Sequence, residues 1–248
     1  MPLNVVILGA TKGMGRAVAR RLAARGDRVH LLGRDQDELA RCAADLEARM
    51  PMSSPVSYSV CDLERPETFA STVTEAATAL GGFDTVVITA ALFATQARLE
   101  TDREFTERLL TVNFVNTVLL CEHVRDYLLG RGGGTLCVFS SVAGERARKP
   151  IVLYGASKAG LSAYLEGLDH KFRSAGLRTV CVKPGFVRTA MTDGLPEPPF
   201  ATDPDSVAAI VVRAIDRGTP VVYAPPIWAL VMLVIRWLPR VVMRRLGF

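Results

Sequence analysis

The sequence of 248 residues lacks the clustered histidines and cysteines on which metal and redox sites are built. Its three histidines, His30, His123 and His170, lie far apart and show no metal-ligand spacing. Its five cysteines form no C-x-x-C pair and mostly stand in apolar surroundings. Buried, reduced thiols are typical of a cytosolic protein. We therefore expect no metal site and a cytoplasmic location.

We expect neither a secretory leader nor a membrane-spanning run. Residues 3–9, "LNVVILG", are apolar from the start, and the two residues before them leave no room for a charged n-region and a cleavage site. The apolar run 227–235, "IWALVMLVI", is far shorter than the about 20 residues that cross a bilayer. No low-complexity segment divides the chain. We expect one domain over residues 1–248, with 225–248 as an amphipathic helical tail.

The positive charge is concentrated at one end of the chain. The formal net charge is +5, and the tail holds Arg236, Arg240, Arg244 and Arg245 without any acidic residue. The remainder of the chain is therefore close to neutral, which excludes a nucleic-acid-binding surface as its main feature. No nucleic-acid partner is expected.

Apolar, β-branched runs alternate with segments whose apolar residues recur every three or four positions. The predicted strands are 4–9, 28–33, 56–60, 84–90, 135–140, 178–184 and 220–224, and the predicted helices are 14–25, 35–49, 66–80, 101–129, 152–175 and 204–217. Such alternation predicts an α/β fold: a doubly wound, Rossmann-type, seven-stranded parallel sheet with helices on both faces. Its ligand crevice is expected at the carboxyl ends of the strands.

The first predicted strand ends in "GATKGMGRAVA", which contains Gly9, Gly13 and Gly15. Glycines at such a turn let the chain approach a pyrophosphate, and the following helix offers free amides and a partial positive charge. Many strand-to-helix turns need glycine for geometry alone. The place of this turn after the first strand favours dinucleotide binding.

The second predicted strand ends in "LLGRD", where an NAD-selective site would place a carboxylate. Gly33 stands at that position and Arg34 follows it. An arginine there suits a ribose 2′-phosphate, and Lys12 would add a second cation. Both residues also fit the description of ordinary surface charges. The pair favours NADP(H) as the cofactor, with NAD(H) as the alternative.

Tyr154 stands four residues before Lys158, so the two share one face of a helix. A phenol with the usual pKa of about 10 is a poor acid near neutral pH, and a nearby ammonium would lower that pKa. By itself, the Tyr-x-x-x-Lys spacing is expected by chance about one time in ten in a chain with these numbers of tyrosines and lysines. Ser141, thirteen residues upstream, makes it more specific.

These motifs together resemble the short-chain dehydrogenase/reductase family in its single-domain form. The resemblance runs in order from residue 3 to residue 224 and rests on the following elements: the G-x-x-x-G-x-G spacing of Gly9, Gly13 and Gly15, "CDL" at 61–63, Asn113, Ser141, Tyr154, Lys158, and "KPGFVRT" at 183–189. It implies an NADP(H)-dependent oxidoreductase that reduces a ketone or oxidises a secondary alcohol.

The resemblance also implies a role for each matching residue. Tyr154 would be the general acid or base, Lys158 would lower its pKa and bind the nicotinamide ribose, and Ser141 would hold the substrate oxygen. Asn113 would anchor a water chain to Lys158. Asp62 would contact adenine, and Val187 and Thr189 the carboxamide. The other residues assigned to the cofactor site are Thr11, Lys12, Met14, Arg34, Leu63, Ala90, Ala91, Pro184 and Gly185, with the three glycines of the first turn and Tyr154 itself.

One motif departs from the family. Where the family usually has Asn-Asn-Ala-Gly after the fourth strand, this chain has "TAAL" at 89–92, and Ala91 is the only letter retained. The change puts the backbone path beside the cofactor ribose in doubt.

The substrate-facing part of the chain carries a narrower resemblance. Residues 140–248 are similar to the subgroup that contains the decaprenylphosphoryl-2-keto-ribose reductase, which implies a lipid-linked keto sugar or another bulky apolar carbonyl substrate. The segment 190–203 is expected to form the substrate lid. The tail, residues 226–248, is expected at the inner face of the membrane, with a sheet edge or a partner subunit as the alternative. A homo-dimer or homo-tetramer is expected.

Two other functions compete with this one. A non-catalytic dinucleotide-binding regulatory module would keep the fold, but such a module would be expected to lose one of the four catalytic positions, and all four are present. A sugar-nucleotide epimerase or dehydratase shares Tyr-x-x-x-Lys, but it has a different glycine spacing and a further substrate domain.

Overall fold

The computed structural model describes residues 2–50 and 55–247 of the chain. Within them, seven parallel strands form one sheet. The strands are β1 (Asn4–Leu8), β2 (Arg28–Gly33), β3 (Ser57–Val60), β4 (Thr85–Ile88), β5 (Gly134–Phe139), β6 (Leu177–Pro184) and β7 (Val221–Ala224). Each coincides with a predicted strand to within two residues at either end. The predicted α/β class and the seven-stranded parallel sheet are confirmed.

The sheet has the strand order β3-β2-β1-β4-β5-β6-β7. The chain runs outward from β1 to β3, then returns to pair β4 with the other side of β1. The order therefore reverses between β1 and β4, and the loops that follow these two strands diverge. In doubly wound sheets this divergence opens the ligand crevice.

The sheet is buried on both faces because alternate residues of one strand enter different cores. In β1, Val5 and Ile7 join the cluster formed with α1 (Gly13–Arg25), α2 (Gln36–Glu47) and α8 (Pro204–Arg217). Val6 and Leu8 join the opposite cluster, formed with α3 (Phe69–Leu80), α6 (Thr117–Gly130) and α7 (Val152–Phe172). Such two-sided burial explains why the inner strands β1 and β4 are nearly continuous apolar runs, whereas the edge strand β3 (SYSV) alternates.

The predicted helix 101–129 is wrong as a single element. The structure has α4 (Gln96–Thr101), α5 (Arg103–Leu110), a π-helical turn over Thr111–Asn116, and then α6. The first break occurs at Asp102, whose carboxylate accepts a hydrogen bond from the amide of Phe105 and so begins a new helix. The π-helical turn adds a residue to the helical repeat, and such bulges are common at functional sites.

The tail forms two helices, α9 (Ile227–Trp237) and α10 (Arg240–Arg245), separated at Pro239. Trp228 and Met232 of α9 are buried against Val142, while the other side of the helix is open to solvent. Among the described residues, no helix combines the length and the apolar character needed to cross a bilayer.

Candidate active site

A cleft of about 510 Å³ lies at the carboxyl ends of β1, β2 and β4, where the strand order reverses. Most of the predicted cofactor residues line it. They are Gly9, Thr11, Lys12, Gly13, Met14, Gly15, Arg34, Asp62, Leu63, Ala90, Ala91 and Thr189. The fold thus brings together residues that are up to 180 positions apart in the sequence.

The glycines of the first turn are required by close contacts. Gly9 has φ +89°, and a Cβ on it would lie 2.5 Å from Thr89 Oγ1. A Cβ on Gly15 would lie 2.2 Å from the carbonyl oxygen of Gly9. The first turn of α1 has no side-chain cap and no acidic residue. Its free amides and partial positive charge therefore suit the pyrophosphate of a dinucleotide.

The departure at residues 89–92 is accommodated by new contacts. The hydroxyl of Thr89 donates to the carbonyl oxygens of Leu8 and Gly9, at 3.1 and 3.2 Å. Thr89 thus ties the end of β4 to the glycine turn. Asn113 holds the backbone of Leu92 at both ends: its Nδ2 donates to the Leu92 carbonyl (2.8 Å), and its Oδ1 accepts from the Leu92 amide (2.7 Å). The backbone path beside the cleft is therefore held in place without the usual asparagines and glycine.

In the structure, the Asn113 side chain binds the backbone of Leu92. A role for Asn113 in a water chain to Lys158 remains a prediction. Sequence reasoning missed the second asparagine of the π-helical turn, Asn116, which is buried and donates to the carbonyl of Leu63 at 2.6 Å. The sequence signal was two asparagines, three residues apart, in an otherwise apolar segment.

Tyr154 and Lys158 lie one turn apart near the start of α7, and Ser141 approaches from the end of β5. The side chain of Ser141 lies close enough to the phenol of Tyr154 to lower its pKa. The Ser141 hydroxyl also accepts from the amide of Ala143 at 3.0 Å, which fixes its position. Lys158 is almost completely buried, and its Nζ donates to the carbonyl oxygen of Phe139 at 2.9 Å.

The neighbouring Ser140 has a different place. Its hydroxyl lies 2.9 Å from the Lys158 carbonyl oxygen, to which it donates, and 2.7 Å from the Ser162 hydroxyl. It joins β5 to α7 and is buried. The choice of Ser141 over Ser140 as the residue that holds the substrate oxygen remains a prediction.

The sequence predicts a lowered pKa for Tyr154, and this prediction is wrong for the structure. Burial raises the pKa of Tyr154 to about 12, with the nearby Ser141 acting in the opposite direction. Burial also lowers the pKa of Lys158 to about 8. The Lys158 Nζ lies 5.8 Å from the centre of the Tyr154 ring and is engaged with Phe139. Loss of hydration is the largest cause of both pKa shifts.

Five residues assigned to the cofactor site are absent from the lining of the cleft: Pro184, Gly185, Val187, Tyr154 and Lys158. Pro184 and Gly185 end β6, and the indole of Trp228 covers Gly185. Val187 is buried and forms a β-bridge with Thr202. An aromatic neighbour of the tyrosine was also missed: the ring of Phe93 packs edge-on against Tyr154, with centroids 5.2 Å apart.

The charges at the ribose end of the cleft form a small network. Arg108 makes a bidentate pair with Glu64 at 2.7 and 2.6 Å, while Arg34 lies 3.6 Å from the same carboxylate. Arg108 is therefore the closer partner of Glu64. Together, Arg34, Arg108 and Glu64 carry a net charge of +1. Arg34, the more weakly paired of the two arginines, places that positive charge at the wall of the cleft.

The part of the chain that the structure describes contains no group of three or more residues able to hold a metal ion. His30 is buried between the hydroxyls of Ser57 and Ser59, at 2.8 and 3.0 Å. Burial lowers its pKa to about 4, so it is neutral near neutral pH. All five cysteines are buried and free.

Comparison with known proteins agrees with this geometry. The family model described as short chain dehydrogenase matches residues 3–199. The chain belongs to the short-chain dehydrogenase family.

Relatives of the chain cover most of its length. An uncharacterized oxidoreductase of Mycobacterium tuberculosis is 36% identical over 244 residues, which cover 98% of this chain and 96% of the relative. Carbonyl reductase family member 4 of Xenopus tropicalis is 29% identical over 83% of this chain and 88% of its own length. A short-chain type dehydrogenase/reductase from Mycobacterium ulcerans has the same fold, with a TM-score of 0.81 at 20% identity over 98% of this chain and 97% of that one.

Membership of the short-chain dehydrogenase family makes the chain an oxidoreductase and implies a nicotinamide dinucleotide as its cofactor. The cleft fits such a group. The glycine turn leaves space for a pyrophosphate, Asp62 and Leu63 line the adenosine side, and Thr89 to Leu92 line the path toward Tyr154.

The lowered pKa of Lys158 predicts a pH dependence. The lysine is charged below about pH 8 and loses its charge as pH rises through that value. Since kcat/KM reports the ionisation of the free enzyme, kcat/KM for carbonyl reduction should fall above about pH 8. In the Lys158→Arg variant, the fall in kcat/KM should move to higher pH, because a guanidinium group stays charged. A wild-type profile that stays flat from about pH 7 to about pH 9.5 would contradict the assignment.

Proposed function

We propose that this protein is an NADP(H)-dependent oxidoreductase that reduces a ketone, or oxidises the corresponding secondary alcohol, with Tyr154 as proton donor or acceptor. The observation that carries the proposal is the proximity of Ser141, at the end of β5, to Tyr154, which stands one helical turn before a buried Lys158. A glycine-lined cleft opens at the same edge of the sheet. The presence of all these groups favours an enzyme over a binding module.

The cofactor would lie along the carboxyl edge of the sheet. The amides at the start of α1 would bind its pyrophosphate, and Arg34 with Lys12 would bind a 2′-phosphate. Lys12 is exposed at the mouth of the glycine turn, and Arg34 has only a shared, longer contact with Glu64. Two cations at this end support NADP(H), because an NAD-selective site would place a carboxylate there.

The proton chemistry follows from the positions of Ser141 and Tyr154. The bound reduced nicotinamide would supply the hydride to the carbonyl carbon. Ser141 holds the carbonyl oxygen by a hydrogen bond, and the phenol of Tyr154 transfers its proton to that oxygen. With a pKa of about 12, the phenol is protonated near neutral pH, which suits the direction of reduction. The nearby charge of Lys158 then stabilises the phenolate until a solvent proton restores it.

The substrate we propose is a bulky apolar carbonyl compound, including a lipid-linked keto sugar. The relative in Xenopus tropicalis is named as a carbonyl reductase, which supports the reaction class. The tail supports the apolar character, because α9 places apolar side chains beside Val142, the residue that follows Ser141.

We also propose that the tail rests on the surface of an anionic membrane. Its outward face exposes Leu230, Leu233, Val234, Trp237 and Val241, and Trp237 is 80% exposed. Beside these residues, Arg240, Arg244 and Arg245 have no carboxylate partner in the described part of the chain. An apolar face flanked by unpaired cations complements anionic lipid better than it complements a neutral protein surface.

A second apolar surface supports a homo-oligomer. Phe114, Val115 and Leu119, on the π-helical turn and α6, are exposed, as is Val152 at the start of α7. We propose that these helices meet those of another copy in a homo-dimer or homo-tetramer, so that the tail remains free.

The Tyr154→Phe variant tests the reaction. It removes the transferable proton and little contact area, so turnover of NADPH with a ketone panel should fall at least about 100-fold while NADPH affinity stays nearly unchanged. Tyr58→Phe, at a partly exposed position on β3, is the matched control and should behave like wild type. Turnover of Tyr154→Phe within a few-fold of wild type would refute the assignment.

The Arg34→Ala variant tests cofactor selectivity. A charge-assisted contact with phosphate is worth about 1.5–3 kcal/mol, but Arg34 is largely exposed. We therefore expect about a tenfold loss of NADPH affinity and little change for NADH. Arg65→Ala removes an equally exposed cation that does not line the cleft, and should change neither affinity. Equal wild-type affinities for the two cofactors would show that no 2′-phosphate site exists.

Vesicle sedimentation tests the tail in the full-length protein. The double variant Leu233→Ser/Trp237→Ser and the double variant Arg240→Gln/Arg244→Gln should each reduce co-sedimentation with anionic vesicles at low salt. Val60→Ser, an exposed apolar position on β3, is the control. A wild-type protein that stays in the supernatant would overturn the membrane proposal, and conversion of the tail variants to monomers would assign the surface to a partner copy.

A further inference from the structure

Ser141 stands at the start of a short turn that follows β5. This turn, Ser141–Glu145, which we call the serine turn, contains one 3-10 segment, Val142–Gly144. Its internal hydrogen bonds are local: the Ala143 amide donates to the Ser141 hydroxyl at 3.0 Å, and the Gly144 amide donates to the Ser141 carbonyl oxygen at 3.1 Å. The position of the Ser141 hydroxyl in the active site therefore depends on the elements that hold this turn from outside.

The serine turn is packed against the backbone of α7. A Cβ placed on Gly144 would lie 2.7 Å from both the Ala159 nitrogen and the Lys158 carbonyl carbon. The turn and the helix that carries the tyrosine and the lysine therefore touch backbone to backbone. A shift of the turn along this contact changes the distance between Ser141 and Tyr154.

The tail packs on the same turn. Trp228 and Met232 of α9 are buried in one apolar cluster with Val142, the residue after Ser141. The serine turn thus has contacts with two helices, α7 and α9, that are far apart in the sequence. Its position is set by both of them.

Two side chains that follow the serine turn bind the backbone of the tail. Arg146 donates to the carbonyl oxygen of Leu238, at the end of α9, with a distance of 2.9 Å. Lys149 donates to the carbonyl oxygen of Arg244, in the last turn of α10, with a distance of 2.7 Å. Carbonyl groups at helix ends have no partner within the helix, so these contacts satisfy them and fasten the tail to this segment.

Glu145, the last residue of the serine turn, is a buried carboxylate that pairs with two cations. Its side chain is 5% exposed, and its partner Lys183 of β6 has a side chain that is 12% exposed. Arg236 of α9 approaches the same carboxylate at 3.4 Å. Removal of one partner from a buried pair is strongly destabilising, because the other charge stays buried and unpaired. Glu145 therefore ties the turn to the sheet and to the tail.

We propose that Glu145 is a positioning residue that acts through Ser141. Its ion pairs with Lys183 and Arg236 hold the serine turn against α7, which makes the tail helix α9 part of the support of the active site. This inference rests on the proposed function, in which Ser141 holds the substrate oxygen. A misplacement of about 1 Å can cost about 100-fold in rate, so a small shift of the turn is enough to slow the reaction.

A double-mutant cycle tests whether Glu145 acts through Ser141. With saturating NADPH and a ketone that wild type reduces, Glu145→Gln should lower kcat about tenfold and Ser141→Ala about 100-fold. The double variant should match Ser141→Ala within about twofold, because residues that act as one unit are not additive. KM for NADPH should change little in Glu145→Gln, because Glu145 is absent from the lining of the cofactor cleft. A double variant about tenfold slower than Ser141→Ala would overturn the proposal, as would wild-type kcat in Glu145→Gln.

Asp27→Asn is the matched control for the loss of a buried carboxylate. Asp27 is 2% exposed, pairs with Arg25 at 2.7 Å and lies directly before β2, at the amino edge of the sheet. The control should lower the midpoint of thermal unfolding, as Glu145→Gln does, but leave kcat within about twofold of wild type. An equal fall of kcat in Asp27→Asn would show that general destabilisation causes the effect and would overturn the proposal.

Arg146→Ala is the second variant, for use where Glu145→Gln does not fold. It removes one hydrogen bond to the tail and leaves the buried pair of Glu145 and Lys183 intact. We expect kcat to fall about fivefold, and we expect this effect to disappear in the Ser141→Ala background. An Arg146→Ala effect of the same size in both backgrounds would count against action through Ser141 and overturn the proposal.

Hydrogen exchange measures the support of the turn without any turnover. The amides of Ala143, Gly144 and Glu145 are all hydrogen-bonded within the turn. In Glu145→Gln, peptides that cover residues 141–149 should exchange about tenfold faster than in wild type, while peptides of α1 keep their rates. Asp27→Asn should leave the exchange of residues 141–149 unchanged. Unchanged exchange of this segment in Glu145→Gln would overturn the proposal.

The proposed function fails by a different result. A wild-type protein that binds NADPH but reduces no ketone of the panel would refute the reductase assignment, while the exchange measurement would still decide whether Glu145 holds the serine turn. Wild-type kcat in Ser141→Ala would refute the proposed role of Ser141. The two failures are therefore distinguishable.

Discussion

The contact between the glycine turn and the end of β4 is the constraint on which the cofactor cleft depends. Gly9 and Gly15 approach each other and Thr89 so closely that a methyl group on either glycine would overlap a backbone or hydroxyl oxygen. Thr89 completes the junction with hydrogen bonds to the carbonyls of Leu8 and Gly9. Because β1 and β4 are neighbours at the reversal of strand order, this junction forms the floor of the cleft.

The same junction explains how the chain tolerates an unusual sequence after β4. The asparagines and glycine of the common motif are absent, but Asn113 reaches across from the π-helical turn and binds both backbone groups of Leu92. A regular α-helix over residues 111–116 would place its side chains differently along the axis. The π-helical turn therefore carries Asn113, and Asn113 holds the backbone of Leu92 in the wall of the cleft.

Burial shifts the pKa values of both Tyr154 and Lys158. Burial raises the pKa of Tyr154 and lowers that of Lys158, so both groups favour their neutral forms more than they do in water. The tail packs beside Val142, the residue that follows Ser141. Trp228 and Met232 of α9 are buried beside Val142, and the opposite face of α9 is apolar and exposed. One short helix therefore has two different apolar surfaces, one buried beside Val142 and the other exposed.

The sequence by itself determined the fold class, the strands and the order of the motifs, because the periodicity of buried residues and the need for glycine at tight turns are local properties. It also singled out Ser141, Tyr154 and Lys158, whose spacing places them near one helix start and one strand end. Only the tertiary structure decided how the charges and donors are paired. Three such features depend on distances between segments far apart in the chain. Lys158 donates to the Phe139 carbonyl, Arg34 and Arg108 share Glu64, and the N–H of Trp228 has no acceptor among the described residues. Hydrogen bonds and desolvation act over a few ångströms, and sequence spacing does not report those distances.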